Sequence, residues 1–336
     1  MKSVIIIFLC FPASLLSQNI DSAGYYFKKG TEAKDARLFA VAGKNFDKAI
    51  HLNQNYTEAF IENGRVNQDM RKVDAAMANF TRAYELQPGN NEVVKELSSL
   101  YFNNRQFQKA IDLAQKCTSC PEADRILGMS YYNLEDFGKA VNFLQKAIIK
   151  NDRDAESAYT LGRTYLELEN EKNAIPQFQR AIELEPLRNV WMYELGLIYY
   201  SQDNYKSALK YFIMAGDAGY NKTNDFYENM GFAQLYTGDT QNGVKTLTEI
   251  IQRKPNNREL LNNIAQAMYD TKHYDEAVSY YEKLLTINPK DASSLFMAGM
   301  TFQKKGDKEK GQKICDKAIE MDPSLASHRQ KKELPM

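Results

Sequence analysis

The chain has 336 residues, of which 43 are basic and 43 acidic, and its formal net charge at neutral pH is zero. Basic residues form no evident stripe along the sequence, which argues against nucleic acid as a ligand. The length alone is compatible with two globular domains. The repeats described below indicate one continuous, elongated array instead.

Residues 1–17 have the composition of a secretory signal peptide. Lys2 precedes an apolar run from Val4 to Phe11, and small residues then lead to the polar Gln18. The apolar stretch is too short to span a bilayer comfortably, and no other segment is apolar enough to do so. We therefore expect export to the periplasm or the extracellular space, with no membrane span in the mature chain. A short uncleaved anchor is the alternative.

Small residues recur along the rest of the chain at a nearly constant interval. The first series, spaced by 34 residues in most steps, consists of Gly30, Gly64, Ser98, Gly128, Gly162, Gly196, Gly231, Ala265 and Gly299. A second series lies 12 residues further along and consists of Ala42, Ala76, Ala110, Ala140, Ala174, Ala208, Gly243, Ala277 and Gly311. Self-similarity at this period indicates an array of stacked supersecondary units.

The segment from Ala155 to Pro186 illustrates the repeating unit. Its apolar residues fall at spacings of three and four on either side of a break at Glu169, which predicts two short helices with one apolar face each. Pro186 ends the second helix, because proline cannot continue the helical hydrogen bonds. Small residues at Gly162 and Ala174 allow the two helix axes to approach closely, which offsets the cost of glycine inside a helix.

This pattern resembles the tetratricopeptide repeat family. In the second repeat the family's marks appear as Phe60, Gly64, Ala76, Phe80, Ala83 and Pro88. The resemblance implies an all-α fold, a right-handed α-solenoid of about nine stacked helix pairs. The repeats are predicted near residues 23–56, 57–90, 91–120, 121–154, 155–188, 189–223, 224–257, 258–291 and 292–323, followed by a short polar tail or cap at 324–336. Pro176 lies inside a predicted helix and is expected at most to kink it.

Cys117 and Cys120 lie where the third repeat loses four residues. In an oxidising compartment these two residues can pair, and at the end of a helix their spacing suits disulfide geometry. The alternative is that Cys117 replaces a packing alanine while Cys120 is a free thiol. Cys315 falls at a packing position and is expected to be buried.

The sequence contains no catalytic motif, no phosphate-binding glycine loop and no pair of histidines at metal-ligand spacing. We therefore predict a protein that is not an enzyme and that uses no metal and no cofactor.

The family resemblance also implies which side chains line the concave groove, namely those three before, one after and four after the key small residue of each first helix. The candidates in repeats four to seven are Arg125, Met129, Tyr132, Tyr159, Arg163, Tyr193, Leu197, Tyr200 and Phe232. Aromatic residues with arginine are typical of binding hot spots. The alternative is that these side chains pack against the neighbouring repeat.

The predicted function is an exported scaffold that binds a protein or an extended peptide, as part of an envelope assembly or a secretion-related complex. A glycan-binding or polysaccharide-export accessory protein is the alternative, since tyrosines can also stack on sugar rings. The sequence leaves the partner and the oligomeric state open.

Overall fold

A computed structural model describes residues 13–117 and 119–327 of the chain. Over these residues it contains eighteen α-helices, one short 3-10 helix and no strand. The first helices of the successive pairs are α1 (Ala13–Asp35), α3 (Thr57–Asp69), α5 (Asn91–Asn103), α7 (Ala123–Asn133), α9 (Ala155–Glu167), α11 (Asn189–Ser201), α13 (Asn224–Tyr236), α15 (Arg258–Asp270) and α17 (Ala292–Lys305).

The second helices are α2 (Phe39–Leu52), α4 (Val73–Leu86), α6 (Phe107–Ala114), α8 (Phe137–Lys150), α10 (Glu171–Leu184), α12 (Tyr205–Asp217), α14 (Thr240–Arg253), α16 (Tyr274–Ile287) and α18 (Lys308–Met321). The 3-10 helix, Pro323–Leu325, follows α18 and overlaps the start of the predicted tail. This architecture confirms the predicted all-α fold of stacked helix pairs.

The chain divides into two compact units between Gln177 and Phe178, which we call unit 1 and unit 2. Within each unit the two helices of a pair pack on each other, and each second helix packs on the first helix of the next pair. First helices also contact one another, as α5 does α7 in unit 1 and α13 does α15 in unit 2. Each pair therefore buries its apolar faces only with the help of its neighbours.

The small residues do lie where paired helices approach most closely. A methyl group added at Gly64 would lie 2.7 Å from a ring carbon of Phe80, and one added at Gly196 would lie 2.6 Å from the ring of Phe212. Both phenylalanines are completely buried. The predicted reason for the glycine series, close contact between helices, is confirmed at these positions.

A left-handed residue connects the two helices of almost every pair. Arg71 has φ 57° two residues after α3 and Lys272 has φ 66° two residues after α15, and the left-handed residue is a glycine after α13 (Gly238) and α17 (Gly306). Around Arg71, the amide of Lys72 donates to the carbonyl of Asn67 across five residues, which is the pattern of a Schellman cap. The turn between helices is therefore fixed mainly by this backbone conformation.

Helix ends otherwise follow the sequence signals. The prolines that were expected to close second helices lie two residues beyond the last residue of α4, α10, α14, α16 and α18. Asp154 and Asn204 accept hydrogen bonds from the backbone amides of Ser157 and Ser207 and so cap the starts of α9 and α12. The helix α10 runs through Pro176 without interruption.

The signal-peptide prediction falls largely outside the described residues, since only positions 13–17 of it belong to α1. In the part of the chain that the structure describes, no helix combines the length and the apolar character needed to cross a bilayer. The helix α6 has 8 residues where α4 and α8 have 14, and this is the place where the third repeat loses residues.

Candidate functional site

The predicted groove residues lie on four first helices and belong to two different units. Unit 1 contains five of them: Arg125, Met129, Tyr132, Tyr159 and Arg163. Unit 2 contains the other four, Tyr193, Leu197, Tyr200 and Phe232. We therefore describe one face in each unit.

On the face in unit 1, arginine side chains already have partners within the chain. The guanidinium of Arg125 lies 3.3 Å from a carboxylate oxygen of Asp154, which caps the start of α9. The guanidinium of Arg163 lies over the ring of Tyr132, 5.8 Å from its centre. Met129 is buried, with an exposed fraction of 5%, and its contact with a ligand stays a prediction. Its apolar side chain belongs to the packing between helices.

The arginine of α7 belongs to a longer series of ion pairs within and between the first helices of unit 1 and the residues that cap them. The pairs are Lys34–Glu62, Arg65–Glu62, Arg65–Glu92, Lys95–Glu122 at 3.0 Å and Arg125–Asp154. The arginines and lysines of this series are more than a quarter exposed, so each pair contributes at most about 1 kcal/mol to stability. These pairs leave the charges of this face largely balanced.

On the face in unit 2, Tyr193 is held by its neighbours on both sides. Its ring stacks on that of Tyr220 with 4.4 Å between centres, and the side-chain amide of Asn229 donates to its hydroxyl over 2.8 Å. Burial raises the pKa of its hydroxyl. Phe232 is buried, with an exposed fraction of 6%, and its place in a binding groove stays a prediction. Leu197 is the exposed member of this set, at 36%.

Three tyrosines, which we call the tyrosine cluster, are the most distinctive part of this face: Tyr200, Tyr205 and Tyr236. The ring of Tyr205 meets that of Tyr200 edge-on at 5.3 Å and stacks on that of Tyr236 at 4.3 Å. Edge-on and stacked arrangements of this kind are the ones that aromatic pairs prefer. Burial, chiefly, raises the pKa of Tyr200 to about 12. The sequence analysis identified Tyr200 and missed the other two, because Tyr205 begins the second helix and Tyr236 lies one position beyond the offsets used.

An open cavity of about 510 Å³ lies beside the tyrosine cluster. It is lined by Asp203, Asn204, Tyr205, Lys206, Leu209, Tyr236 and Thr237. The hydroxyl of Tyr205 donates a hydrogen bond of 2.6 Å to the carboxylate of Asp203, which fixes the ring against the turn between α11 and α12. The cavity combines apolar ring surface with polar groups, as small binding sites in proteins do.

Acidic side chains act electrostatically on the cluster. Burial is the main cause that raises the pKa of Tyr200 and of Tyr236; the negative charges of Glu228 and Asp203 add to it for Tyr200, and those of Asp270 and Asp203 for Tyr236. The pKa of Glu228 is itself raised, first by burial and then by the charges of Asp225 and Glu259. The cavity lining itself contains one carboxylate, that of Asp203, and one lysine, Lys206.

The cysteine pair lies in unit 1, directly after the short helix α6. The Cα atoms of Cys117 and Cys120 are 5.6 Å apart and their sulfur atoms are within bonding distance, which is the arrangement that a disulfide requires. Both residues line an open cavity of about 570 Å³ together with Phe143, Asp124 and Lys150. The oxidation of this pair in the native protein stays a prediction.

Among residues 13–117 and 119–327 we find no group of three or more histidine, cysteine or acidic side chains arranged to hold a metal ion. Cys315 is buried, as its place in the repeat predicts.

Comparison with known proteins identifies the repeat. Models of the tetratricopeptide repeat match residues 127–184 and 159–219, which overlap, and residues 258–291 and 292–325. A curated human protein, RNA polymerase II-associated protein 3, is 30% identical over 86 residues, which are 24% of this chain and 13% of that protein. The chain thus spans only about an eighth of that relative's length.

Solved structures of repeat proteins are similar at low identity. YrrB, described as a TPR protein with an unusual peptide-binding site, is 24% identical over 56% of this chain and 97% of its own, with a TM-score of 0.41. MamA from Desulfovibrio magneticus RS-1 is 17% identical over 50% of this chain and 97% of its own, with a TM-score of 0.46. The family models match two stretches of the chain that have the helix pairs described above. The chain therefore carries tetratricopeptide repeats over residues 127–219 and 258–325.

Proposed function

We propose that this chain is a non-enzymatic scaffold that binds a partner protein, or an extended peptide segment of one, on the first-helix face of unit 2. Proteins built from these repeats are generally non-catalytic scaffolds. The observation that carries the proposal is the tyrosine cluster beside its open cavity, with the exposed Leu197 on the same helix as Tyr200. Partly exposed aromatic side chains supply large, stiff contact area at low entropic cost.

The experiment compares binding by the wild-type protein with binding by two variants. Tyr205→Ala with Leu197→Ala removes two side chains that are not buried, since Tyr205 is partly exposed and Leu197 is exposed. Ile213→Ala is the matched control, because Ile213 is also exposed, at 48%, but lies on the second helix α12. Affinity purification from cells that express the chain should recover a partner with wild type and control. The double variant should recover it at least tenfold less, because truncated hot spots cost about 2 kcal/mol or more.

Circular dichroism of both variants separates loss of binding from loss of folding. A partner that the folded double variant retains at the wild-type level would contradict the proposed surface. If immobilised polysaccharide retains the wild-type protein but not the double variant, the ligand of this surface is a glycan and not a protein.

We propose further that the chain is exported and acts in an envelope assembly or a secretion-related complex. The support is the order of charge, apolar run and small residues in positions 1–17. Mass determination of the protein purified from its native source tests this proposal. A mature chain that begins at Gln18 supports export with cleavage, and an intact chain recovered with the cytosolic fraction contradicts it.

A further inference from the structure

The cysteine pair of unit 1 lies where the repeat structure is interrupted. Cys117 occupies the position 34 residues after Ala83, which is completely buried in α4. The helix α6 ends at Ala114, so Cys117 falls in the connection 115–122 and is partly exposed. Cys120 is less accessible, with an exposed fraction of 8%. The early end of α6 therefore opens one cysteine of the pair to solvent more than the other.

Both cysteines line the open cavity of about 570 Å³ in unit 1. Leu127 and Phe143 supply apolar parts of its wall, and the carboxylate of Asp124 forms an ion pair of 2.5 Å with Lys150 at the same cavity. Because these two charges offset each other, the lining does not select a ligand by charge. The group with distinctive chemistry in this cavity is the disulfide, and the cavity gives a thiol-bearing molecule room to reach it.

Hydrogen-bond acceptors for both thiols are already in place beside the pair. The Sγ of Cys120 lies 3.4 Å from the backbone carbonyl oxygen of Asn91, the first residue of α5. The Sγ of Cys117 lies 3.4 Å from the side-chain oxygen of the same residue. A thiol can donate to these oxygen atoms, whereas the sulfur atoms of a disulfide have no hydrogen to donate. The folded chain can therefore accommodate the reduced pair as well as the oxidised one.

We infer that the bond between Cys117 and Cys120 is a thiol–disulfide exchange site, which accepts a thiol that enters this cavity. The thiolate of the incoming molecule attacks the Sγ of Cys117, the more exposed of the two. A new sulfur–sulfur bond forms between them, the bond between Cys117 and Cys120 breaks, and Cys120 leaves with its electron pair. The proton that the incoming thiol released ends on Cys120.

The electrons of this step balance without a further reagent, because the sulfur of the incoming thiol is oxidised and that of Cys120 is reduced. The incoming group is either a small-molecule thiol or the cysteine side chain of a protein, since both have this chemistry. The inference concerns unit 1 and goes beyond the proposed function, which concerns the face of unit 2.

The first experiment asks whether thiols reach the pair in the folded protein. The oxidised full-length protein is incubated with reduced glutathione, and an alkylating reagent then marks accessible thiols for peptide mass spectrometry. We expect Cys117 to become alkylated while the buried Cys315 stays unmodified, which shows that the chain remains folded. Reduction of the pair only after unfolding in urea would overturn the inference, and so would failure of the folded protein to form the disulfide with an oxidant.

Two matched serine variants test which sulfur is attacked. Cys120→Ser leaves the thiol of Cys117 at the cavity, and Cys117→Ser leaves that of Cys120. With oxidised glutathione we expect Cys120→Ser to form its mixed disulfide about tenfold faster than Cys117→Ser, because exchange depends on access to the sulfur. Equal rates, or a faster reaction of Cys117→Ser, would contradict the assignment of Cys117. Circular dichroism checks that both variants fold.

The source of the thiol is determined by comparing the reduction of the wild-type disulfide by reduced glutathione and by reduced thioredoxin. Each rate is divided by that for an oxidised synthetic peptide of residues 115–122, which contains the same two cysteines without the cavity. A higher ratio for thioredoxin supports a protein cysteine, and a higher ratio for glutathione supports a small-molecule thiol. If neither reagent reduces the folded protein, the inference is wrong.

Discussion

Gly311→Ala provides the sharpest test of how the paired helices pack. Alanine occupies the equivalent position in seven of the nine repeats, at Ala42, Ala76, Ala110, Ala140, Ala174, Ala208 and Ala277. The other repeats therefore favour alanine at this position, and so does helix propensity, which alone predicts a gain in stability of about 1 kcal/mol. The geometry predicts the opposite result.

A methyl group added at Gly311 would lie 2.5 Å from the carbonyl oxygen of Gly299 and 2.7 Å from the backbone nitrogen of Gln303. Both are backbone atoms, so the methyl group can be accommodated only if α17 and α18 move apart. Overpacking of this kind costs up to about 3 kcal/mol, and subtraction of the propensity gain leaves a net loss of about 2 kcal/mol in the free energy of unfolding.

The assay is urea unfolding followed by circular dichroism, with hydrogen exchange of α17 and α18 as the local measurement, because repeat arrays need not unfold in two states. Gly24→Ala is the control. Gly24 also lies inside a helix, but a methyl group there would meet nothing within 4 Å, so this variant should be more stable than wild type. A Gly311→Ala protein at least as stable as wild type, with unchanged exchange in α17 and α18, would refute the packing argument.

Three further predictions concern the turns, the cysteines and the carboxylate of Glu228. Arg71→Gly should stabilise the protein by about 0.5–1 kcal/mol because glycine adopts a positive φ without steric cost, and Gly306→Ala should destabilise it by a similar amount. Thermal unfolding checks both variants. A loss of stability in Arg71→Gly would contradict the reasoning. In protein from its native source, Cys117 and Cys120 should resist alkylation until they are reduced, as judged by mass spectrometry. Alkylation of both cysteines before reduction would exclude the disulfide. Because the bond closes a small loop, its contribution to the free energy of unfolding should be at the low end of about 2–4 kcal/mol. Folding raises the pKa of Glu228, so the protonated carboxyl favours the folded state at low pH and this contribution is lost as pH rises. Glu228→Gln should therefore gain stability relative to wild type as pH rises above about 4, the ordinary pKa of glutamate. A gain that shrinks over this range, or an equal gain in the control Glu249→Gln, would contradict that assignment.

The spacing of small residues predicted much of the fold because the contact it reports is local. Gly64 and Phe80 are 16 residues apart in one helix pair, so the register alone indicated which helices meet. The left-handed turns could not be predicted in the same way, since Arg71 and Lys272 are not residues that favour a positive φ. Their conformation accompanies backbone hydrogen bonds at the end of the first helix, such as that from Lys72 to Asn67, which the residue types do not indicate.

The candidate site was predicted only in part, because a position within a helix does not determine how deeply a side chain is buried. Met129 and Leu197 occupy the same offset from their key glycines, yet Met129 is buried and Leu197 is exposed. Tyr205 and Tyr236 lie outside the expected offsets and come together only through the contact between α12 and α13. Which aromatic side chains share a surface depends on such contacts between repeats.

The short helix α6 has a consequence for how unit 1 responds to stress. Because each helix pair gains its stability from the pairs beside it, the cooperativity of an array depends on the weakest interface along it. With 8 residues in place of 14, α6 has less length to pack against α5 than α4 and α8 have against their own partners, so we expect partial unfolding of unit 1 to begin there. The covalent link that Cys117 and Cys120 can form lies directly after this helix, where it would oppose such local opening.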